Sequence, residues 1–131
     1  MQIDEHNIMK SQSITFDKSK GFAIRIVNLY KHITATEQEY VMTKQLLRCG
    51  TSIGANLAEA RCGISMKDFL AKIYVALKEC SETQYWLEIL HETNYLNDSE
   101  FNSIYEDCTE LFKLLTSTTK TLSLKLSAKT N

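Results

Sequence analysis

The chain has 131 residues, of which 44% are hydrophobic and 24% are charged, and its formal net charge is −1. This length fits one domain, the composition excludes disordered and fibrous proteins, and the charge lacks the basic excess typical of nucleic-acid binding. Because the chain has no proline and only four glycines, long helices are favoured over a turn-rich β architecture.

The first fifteen residues show no helical period, so we predict a flexible N-terminal arm over residues 1–15. The opening MQIDEHNIMKSQS is polar where a signal peptide needs an apolar core. No segment of the chain reaches the roughly 20 apolar residues of a membrane span. We therefore expect a cytoplasmic protein with no membrane partner.

Hydrophobic spacing predicts a first helix from about Ser19 to Thr34. Thr36 followed by Glu39 is a capping-box pattern, which predicts the start of a second helix. This second helix should run to about Cys62, because Gly63 is a good stop signal.

Ser65 with Asp68 repeats the capping-box pattern and predicts a third helix, which ends at the turn signal in residues 94–98. A fourth helix should begin near Asn97 or Ser99, and residues 125–131 should form a frayed tail. Four helices joined by short connections predict an all-α, antiparallel up-down-up-down four-helix bundle over residues 16–124.

The second helix carries no charged residue in the ten positions between Arg48 and Glu59. Three stripes run around its axis at helical spacing. They are an apolar stripe of Leu46, Cys49, Ile53 and Leu57, a small stripe of Gly50, Gly54 and Ala58, and a polar stripe of Gln45, Arg48, Ser52, Asn56 and Glu59. A helix without an obvious wet face should be enclosed by neighbours, including other copies of the chain.

Two of these stripes leave alternatives open. Gly50 and Gly54 each cost roughly 1 kcal/mol relative to alanine, which indicates close packing against another helix of the same chain or of a neighbouring subunit. A buried Arg48 needs a carboxylate, and Glu79 or Glu82 on the next helix is the natural candidate. The polar stripe then forms a structural seam, with Glu82, that fixes helix register or oligomer state, or else a ligand or nucleic-acid site.

Few residues suggest catalysis. Glu88 and His91 form one ExxH motif, but a di-iron bundle needs a second copy, and the fourth helix offers Glu106 and Glu110 without a histidine. The sequence has no hydrolase elbow, P-loop or dinucleotide fingerprint. We therefore expect no enzyme, no catalytic residue, no cofactor and no metal, with a metal-binding enzyme at Glu88 and His91 as the least favoured alternative.

The cysteines lie singly along the helical patterns, without a CxxC pair. We expect them to be small buried or half-buried hydrophobes, while a redox thiol and a metal ligand stay open. They are Cys49, Cys62, Cys80 and Cys108.

Basic residues gather around the second and third helices, where Tyr74, Tyr85 and Trp86 offer stacking surfaces. Lys67, Lys72 and Lys78 are the candidate nucleic-acid contacts. Because Glu59, Glu79 and Glu82 alternate with them, a solvated mixed-charge face is the simpler interpretation. A ring of copies would multiply a weak basic patch.

The motif QLLRCGTSIGANLAEA at residues 45–60 resembles the signature of the bacterial four-helix-bundle proteins first noticed as reading frames in intervening sequences of 23S ribosomal RNA genes. The similarity continues through residues 68–69, 72, 76–79, 81–83 and 85–87, and covers about residues 16–122. The resemblance implies a left-handed bundle that assembles into a homopentameric barrel.

A related branch, the accessory variability determinant of diversity-generating retroelements, is similar in fold and binds template RNA and the reverse transcriptase through a basic pentamer surface. This chain, at net charge −1, departs from that branch. Our first hypothesis is therefore a non-enzymatic homopentameric assembly or adaptor protein with an unknown partner. The alternative is a ring that binds structured RNA or a nucleic-acid-processing protein.

Overall fold

The computed structural model describes residues 5–130, with side chains from residue 9 to residue 128. Four helices and no strand occupy this range: α1 (Glu5–Glu37), α2 (Met42–Ala60), α3 (Met66–Glu92) and α4 (Asp98–Thr130). Each helix packs on the next in the chain, and α4 packs on α1. Because the connections are only four or five residues long, successive helices run antiparallel, which confirms the all-α four-helix fold.

The core lies along the axis between the four helices. Each helix contributes aliphatic side chains that are almost fully removed from water, at helical spacing along its inner face. They include Ile26, Ile33, Leu46, Ile53, Ile73, Leu87, Leu90, Leu111, Leu115 and Leu122. Helical spacing in the sequence predicts buried positions at Ile26 and Ile33 on α1, at Leu46 and Ile53 on α2, and at Leu111, Leu115 and Leu122 on α4, and all of these are buried. On α3 the sequence predicts a buried line that includes Gln84 and His91. In the structure these two lie at its edge, while Leu70, Ala76 and Thr83 are buried.

Residues 5–15, for which the sequence predicts an arm, form the first turns of α1. Thr15 is buried and its hydroxyl donates to the Ser11 carbonyl at 3.0 Å, while Gln12 Nε2 donates to Thr118 Oγ1 on α4 at 3.0 Å. The face that α1 turns inward here is polar, so it left no apolar period to find. The predictions for residues 1–4 lie outside the described residues.

At the other end of the chain, α4 continues to Thr130 without a break. Residues 125–130, for which the sequence predicts a frayed tail, are therefore helical, and their motion stays a prediction. Together α1 and α4 are each 33 residues long and extend well past α2, which has 19 residues. At 1.5 Å per residue these lengths correspond to about 50 Å and about 28 Å.

The start of α2 corrects the predicted capping box. Thr36 lies inside α1 and donates to the His32 carbonyl at 2.8 Å. Gln38, with φ of 54°, ends α1, and the Glu39 carboxylate accepts from the backbone N–H groups of Val41, Met42 and Thr43 at 2.9–3.0 Å. Glu39 therefore caps α2 alone, in the place where the sequence suggested a pair.

The N-termini of α3 and α4 lie where the sequence predicts them. Ser65 Oγ accepts from the Asp68 N–H at 3.1 Å, as predicted for α3. At α4, Asn97 Oδ1 accepts from the Glu100 N–H and Glu100 Oε1 accepts from the Asn97 N–H, which is a reciprocal capping box. Asn94, with φ of 70°, closes α3 in the left-handed conformation that asparagine tolerates.

Within residues 5–130, no helix combines the length and the apolar character needed to cross a bilayer.

Candidate functional site

One side of α2 packs tightly against α1 through its two glycines. A Cβ at Gly50 would lie 2.9 Å from the side-chain carbons of Ile26, and a Cβ at Gly54 would lie 3.1 Å from Ser19 Oγ. Both glycines are buried. Gly50 and Gly54 therefore lie against α1 of the same chain, which is one of the two alternatives left open by the sequence, whereas Ala58, the third member of the small stripe, is exposed.

The opposite side of α2 carries the polar stripe, and in the single chain this stripe is at least partly open to solvent. Ser52 and Asn56 satisfy their side chains on their own helix: Ser52 Oγ donates to the Arg48 carbonyl at 2.6 Å, and Asn56 Nδ2 donates to the Ser52 carbonyl at 2.8 Å. Gln45 is exposed. The side-chain hydrogen bonds of Ser52 and Asn56 are therefore made within α2 and not to α3. That the polar stripe forms a contact between copies of the chain stays a prediction.

Arg48 reaches across to α3 and forms ion pairs with both carboxylates that the sequence suggested. Its Nη1 lies 3.3 Å from Glu79 Oε2, and its Nη2 is bonded to Glu82 Oε2. Partial burial acts to lower the pKa of Arg48, but the two carboxylates outweigh it and raise the pKa above its ordinary value. The guanidinium is therefore a permanent charge, and it is still about half exposed.

A second ion pair joins the two helices at the other end of the stripe. Lys72 Nζ donates to Glu59 Oε2 at 2.6 Å. Between this pair and Arg48, the outer surface is uncharged and made of small side chains, with Ala55 on α2 and Val75 on α3 exposed. We call this surface the α2–α3 face; it comprises Gln45, Arg48, Ser52, Ala55, Asn56, Glu59, Lys72, Val75, Glu79 and Glu82.

Aromatic residues border the α2–α3 face near the start of α2. One helical turn beyond Glu82, Trp86 packs edge-on against Tyr85 with ring centroids 5.2 Å apart. Tyr85 is exposed, as are Tyr40 and Val41 in the α1–α2 connection. Among the described residues, the Trp86 Nε1 atom is buried and finds no hydrogen-bond partner, and Tyr and Trp are enriched where proteins associate.

The three lysines proposed for nucleic acid do not behave alike. Lys72 is engaged by Glu59, whereas Lys67 and Lys78 are exposed. No ion pair is found for Lys67 or Lys78 among the described residues. The structure therefore leaves two separate lysines on α3 in place of the three that the sequence grouped.

The candidate metal residues have other roles. His91 Nε2 lies 2.7 Å from Asp98 Oδ1, and its ring stacks on Phe101 with centroids 4.1 Å apart. Glu88 is exposed on α3. In the part of the chain that the structure describes, no group of three or more His, Cys, Asp or Glu side chains is placed to hold a metal ion.

The cysteines divide into two classes. Cys49, Cys80 and Cys108 are buried, while Cys62 is exposed in the connection after α2. The expectation of a small hydrophobe is thus wrong for Cys62, because α2 ends at Ala60 and leaves the thiol beyond the core. Burial raises the pKa of Cys49 to about 11 despite a lowering hydrogen bond to Thr83.

The sequence that forms this arrangement matches a known protein family. The family described as 23S rRNA-intervening sequence protein matches residues 11–117. The chain belongs to this family. Its motif at residues 45–60, which supplies both the glycine contact with α1 and the exposed polar stripe, lies within the match.

A solved structure is also similar to this member of the 23S rRNA-intervening sequence protein family. A protein with unknown function from the S23 ribosomal protein family of Bacteroides thetaiotaomicron VPI-5482 is 50% identical, with a TM-score of 0.82. The match covers 84% of this chain and 98% of that chain. Among curated proteins no match is found.

Sequence reasoning missed the apolar part of the α2–α3 face. Val75 lies off the buried line of α3, and Ala55 lies outside all three stripes of α2. The signal was available, because an apolar residue that falls outside the inward face of an amphipathic helix is a candidate for contact with a partner.

Proposed function

We propose that this protein is a non-enzymatic assembly protein whose copies associate through the α2–α3 face into a homo-oligomer, which then acts as an adaptor for another molecule. The observation that carries the proposal is the outer side of α2 between Arg48 and Glu59, where only uncharged side chains reach the surface: Ala55 and Ala58 are exposed, and Ser52 and Asn56 are half-buried. A lone bundle would gain solubility from charge at these positions.

The charges on this face favour association as well. Arg48 is already paired with Glu79 and Glu82, and Lys72 with Glu59, so neither cation of this face would enter an interface unpaired. Charged groups that enter an interface unpaired are costly to desolvate, whereas paired ones bring part of their compensation with them. The uncharged centre, around Ala55 and Val75, would meet the neighbouring copy first.

The proposed number of copies is five, as the resemblance of the α2 motif to pentameric barrel proteins implies. A closed ring is built from a heterologous contact, in which the α2–α3 face of one copy meets a different face of the next. In this arrangement α2 becomes enclosed on all sides, as its lack of charge between Arg48 and Glu59 suggests.

A second candidate function is a ring that binds structured RNA. It is supported by the exposed Lys67 and Lys78 and by the exposed rings of Tyr74 and Tyr85 on α3. A ring would repeat these contacts in every copy. The bond between Lys72 and Glu59 weakens this candidate, because it removes one of its three lysines.

Native mass spectrometry of protein purified at low salt without nuclease distinguishes the assembly protein from the RNA-binding ring. A pentamer free of adducts supports the assembly function, and we expect this result. A pentamer with mass that a ribonuclease removes supports the RNA-binding ring, and its affinity should then fall steeply with salt. A monomer at micromolar concentration contradicts both proposals.

A further inference from the structure

Two cysteine side chains meet at the centre of the contact between α3 and α4. Cys80 Sγ and Cys108 Sγ are 3.8 Å apart, and both residues are completely buried. Each thiol also lies close to the backbone carbonyl of the other residue, at 3.4 Å from Cys80 Sγ to the Cys108 oxygen and at 3.6 Å in the reverse direction. The two helices are therefore in close contact at this point.

We propose that Cys80 and Cys108 form a dithiol modification site, which a two-electron thiol oxidant converts into an intrachain disulfide between α3 and α4. The sulfurs need only move from van der Waals contact to a bond of about 2 Å. Since the residues are 28 positions apart on consecutive antiparallel helices, this link preserves the topology of the bundle.

The chemistry balances with a diazenedicarboxamide such as diamide as oxidant. The first thiolate adds to one nitrogen of the N=N bond, forming an S–N bond, while the other nitrogen takes up a proton. The second thiolate then attacks this sulfur, so that the S–S bond forms and the S–N bond breaks. The two thiols lose two electrons and two protons, and the diazene leaves as the hydrazine.

Burial sets the rate of this reaction. The neighbouring Cys80 thiol and burial raise the pKa of Cys108 far above its ordinary value, so the reactive thiolate is scarce near neutral pH. We expect oxidation to be slow, to speed up with rising pH and to need a local opening of α3 from α4. Once one sulfur has reacted, its neighbour in contact is the favoured resolving group.

Cys62 must be removed from the experiment first. It is exposed and would react early, linking two chains or passing a disulfide to the core. A Cys62→Ser background leaves the three buried thiols, Cys49, Cys80 and Cys108. Cys49 is the internal competitor, since its thiol is close enough to contribute to the raised pKa of Cys108.

The test treats folded Cys62→Ser protein with diamide, blocks the remaining thiols with an alkylating agent in denaturant, and maps the linked peptides by mass spectrometry without reduction. We expect a Cys80–Cys108 peptide as the main product, with Cys49 alkylated. A closed loop of this length should raise the melting temperature by roughly ten degrees, and reduction should reverse the shift.

Two matched variants complete the test. In the Cys62→Ser background, Cys108→Ala should abolish both the linked peptide and the reversible shift in melting temperature, while Cys49→Ala should keep both. Three free thiols after long oxidation at alkaline pH, or a disulfide that includes Cys49, would overturn the proposal. If Cys108→Ala does not fold, the peptide map of the Cys62→Ser protein alone still shows whether Cys80 and Cys108 are linked.

Discussion

The two sides of α2 differ in what they contact, although the same motif encodes both. On one side, Gly50 and Gly54 lie so close to α1 that an added Cβ would meet Ile26 or Ser19 within 2.9–3.1 Å. On the other side, Ala55 is exposed and faces nothing in the chain. Small residues are therefore required by the fold on the first side, whereas on the second side they fit the proposed contact with another copy.

Under the proposed assembly, one helix serves both the folding of the subunit and the association of subunits. The side toward α1 is already satisfied in the single chain, so changes there should act on the stability of each subunit. The outer side has unused contact area, so changes there should act on the association of subunits. Adjacent residues of α2 can thus be used to separate the two effects.

The largest effect is expected for Gly54→Leu. The new side chain must displace Ser19, whose backbone carbon lies 3.6 Å from the Cβ position, and such overpacking costs about 1–3 kcal/mol or more. We expect a clear loss of unfolding free energy, measured by urea denaturation. Ala55→Leu, one position along the helix, is the matched control; measured at a protein concentration low enough for the variants to be monomeric, it should leave the stability of the subunit nearly unchanged.

Two results would contradict this difference between the two sides of α2. Equal stabilities of Gly54→Leu and wild type would mean that α1 and α2 are not in close contact. A large loss of subunit stability for Ala55→Leu would mean that the outer side of α2 is part of the core of the single chain.

A smaller effect is expected for the ion pair between Arg48 and Glu82. If another copy covers the α2–α3 face, this pair is shielded from water, and its coupling energy should exceed about 1 kcal/mol, the upper end for exposed pairs. A double-mutant cycle with Arg48→Met and Glu82→Gln measures it through the unfolding of the oligomer.

The exposed pair of Lys18 and Glu110, between α1 and α4, is the control for this cycle. Its coupling should be smaller than that of Arg48 and Glu82, and 0.5 M salt should weaken it more. Equal couplings with equal salt dependence would show that the α2–α3 face stays open to water.

The smallest effect is expected at Glu39, which caps the N-terminus of α2 and so acts on both of its sides equally. Burial acts to raise the pKa of Glu39, but the backbone N–H groups of Met42, Thr43 and Val41 together lower it below its ordinary value of 4.5. The stabilisation is thus complete above pH 4.5 and is lost as the pH falls through the lower pKa of the folded state.

Glu39→Gln should therefore reduce the unfolding free energy by about 0.5–1 kcal/mol at neutral pH, since a half-buried cap is still partly screened by water. The difference from wild type should vanish in acid. Glu37→Gln, an exposed carboxylate at the end of α1, should show no such loss. A difference that persists unchanged at pH 2 would exclude the carboxylate as the cap.

The sequence predicted much of this fold because most of its helices have one apolar face and a recognisable start. The four helices, the cap at Ser65 and the partners of Arg48 all follow from spacing and charge. The first turns of α1 were missed because their buried face uses Thr15 and Ser19, whose hydroxyls bond to carbonyls of their own helix. Polar residues satisfied in this way give no hydrophobic period.

The candidate site was less predictable for a different reason. Spacing alone indicated that α2 is enclosed, but it did not distinguish the side facing α1 from the side facing solvent. That distinction depends on which residues of other helices oppose Gly50 and Gly54, a long-range property. For the same reason, the contact between Cys80 and Cys108 has no sequence signature, since 28 residues separate them.

The most direct test of the central claim is the mass in solution of Ala55→Arg, compared with wild type and with Ala35→Arg, by native mass spectrometry or analytical ultracentrifugation. Ala35 is an exposed alanine on α1 and serves as the matched control. We expect wild type and Ala35→Arg to form the same oligomer, and Ala55→Arg to be a folded protein of lower mass. An Ala55→Arg oligomer of unchanged mass and stability would contradict assembly through the α2–α3 face.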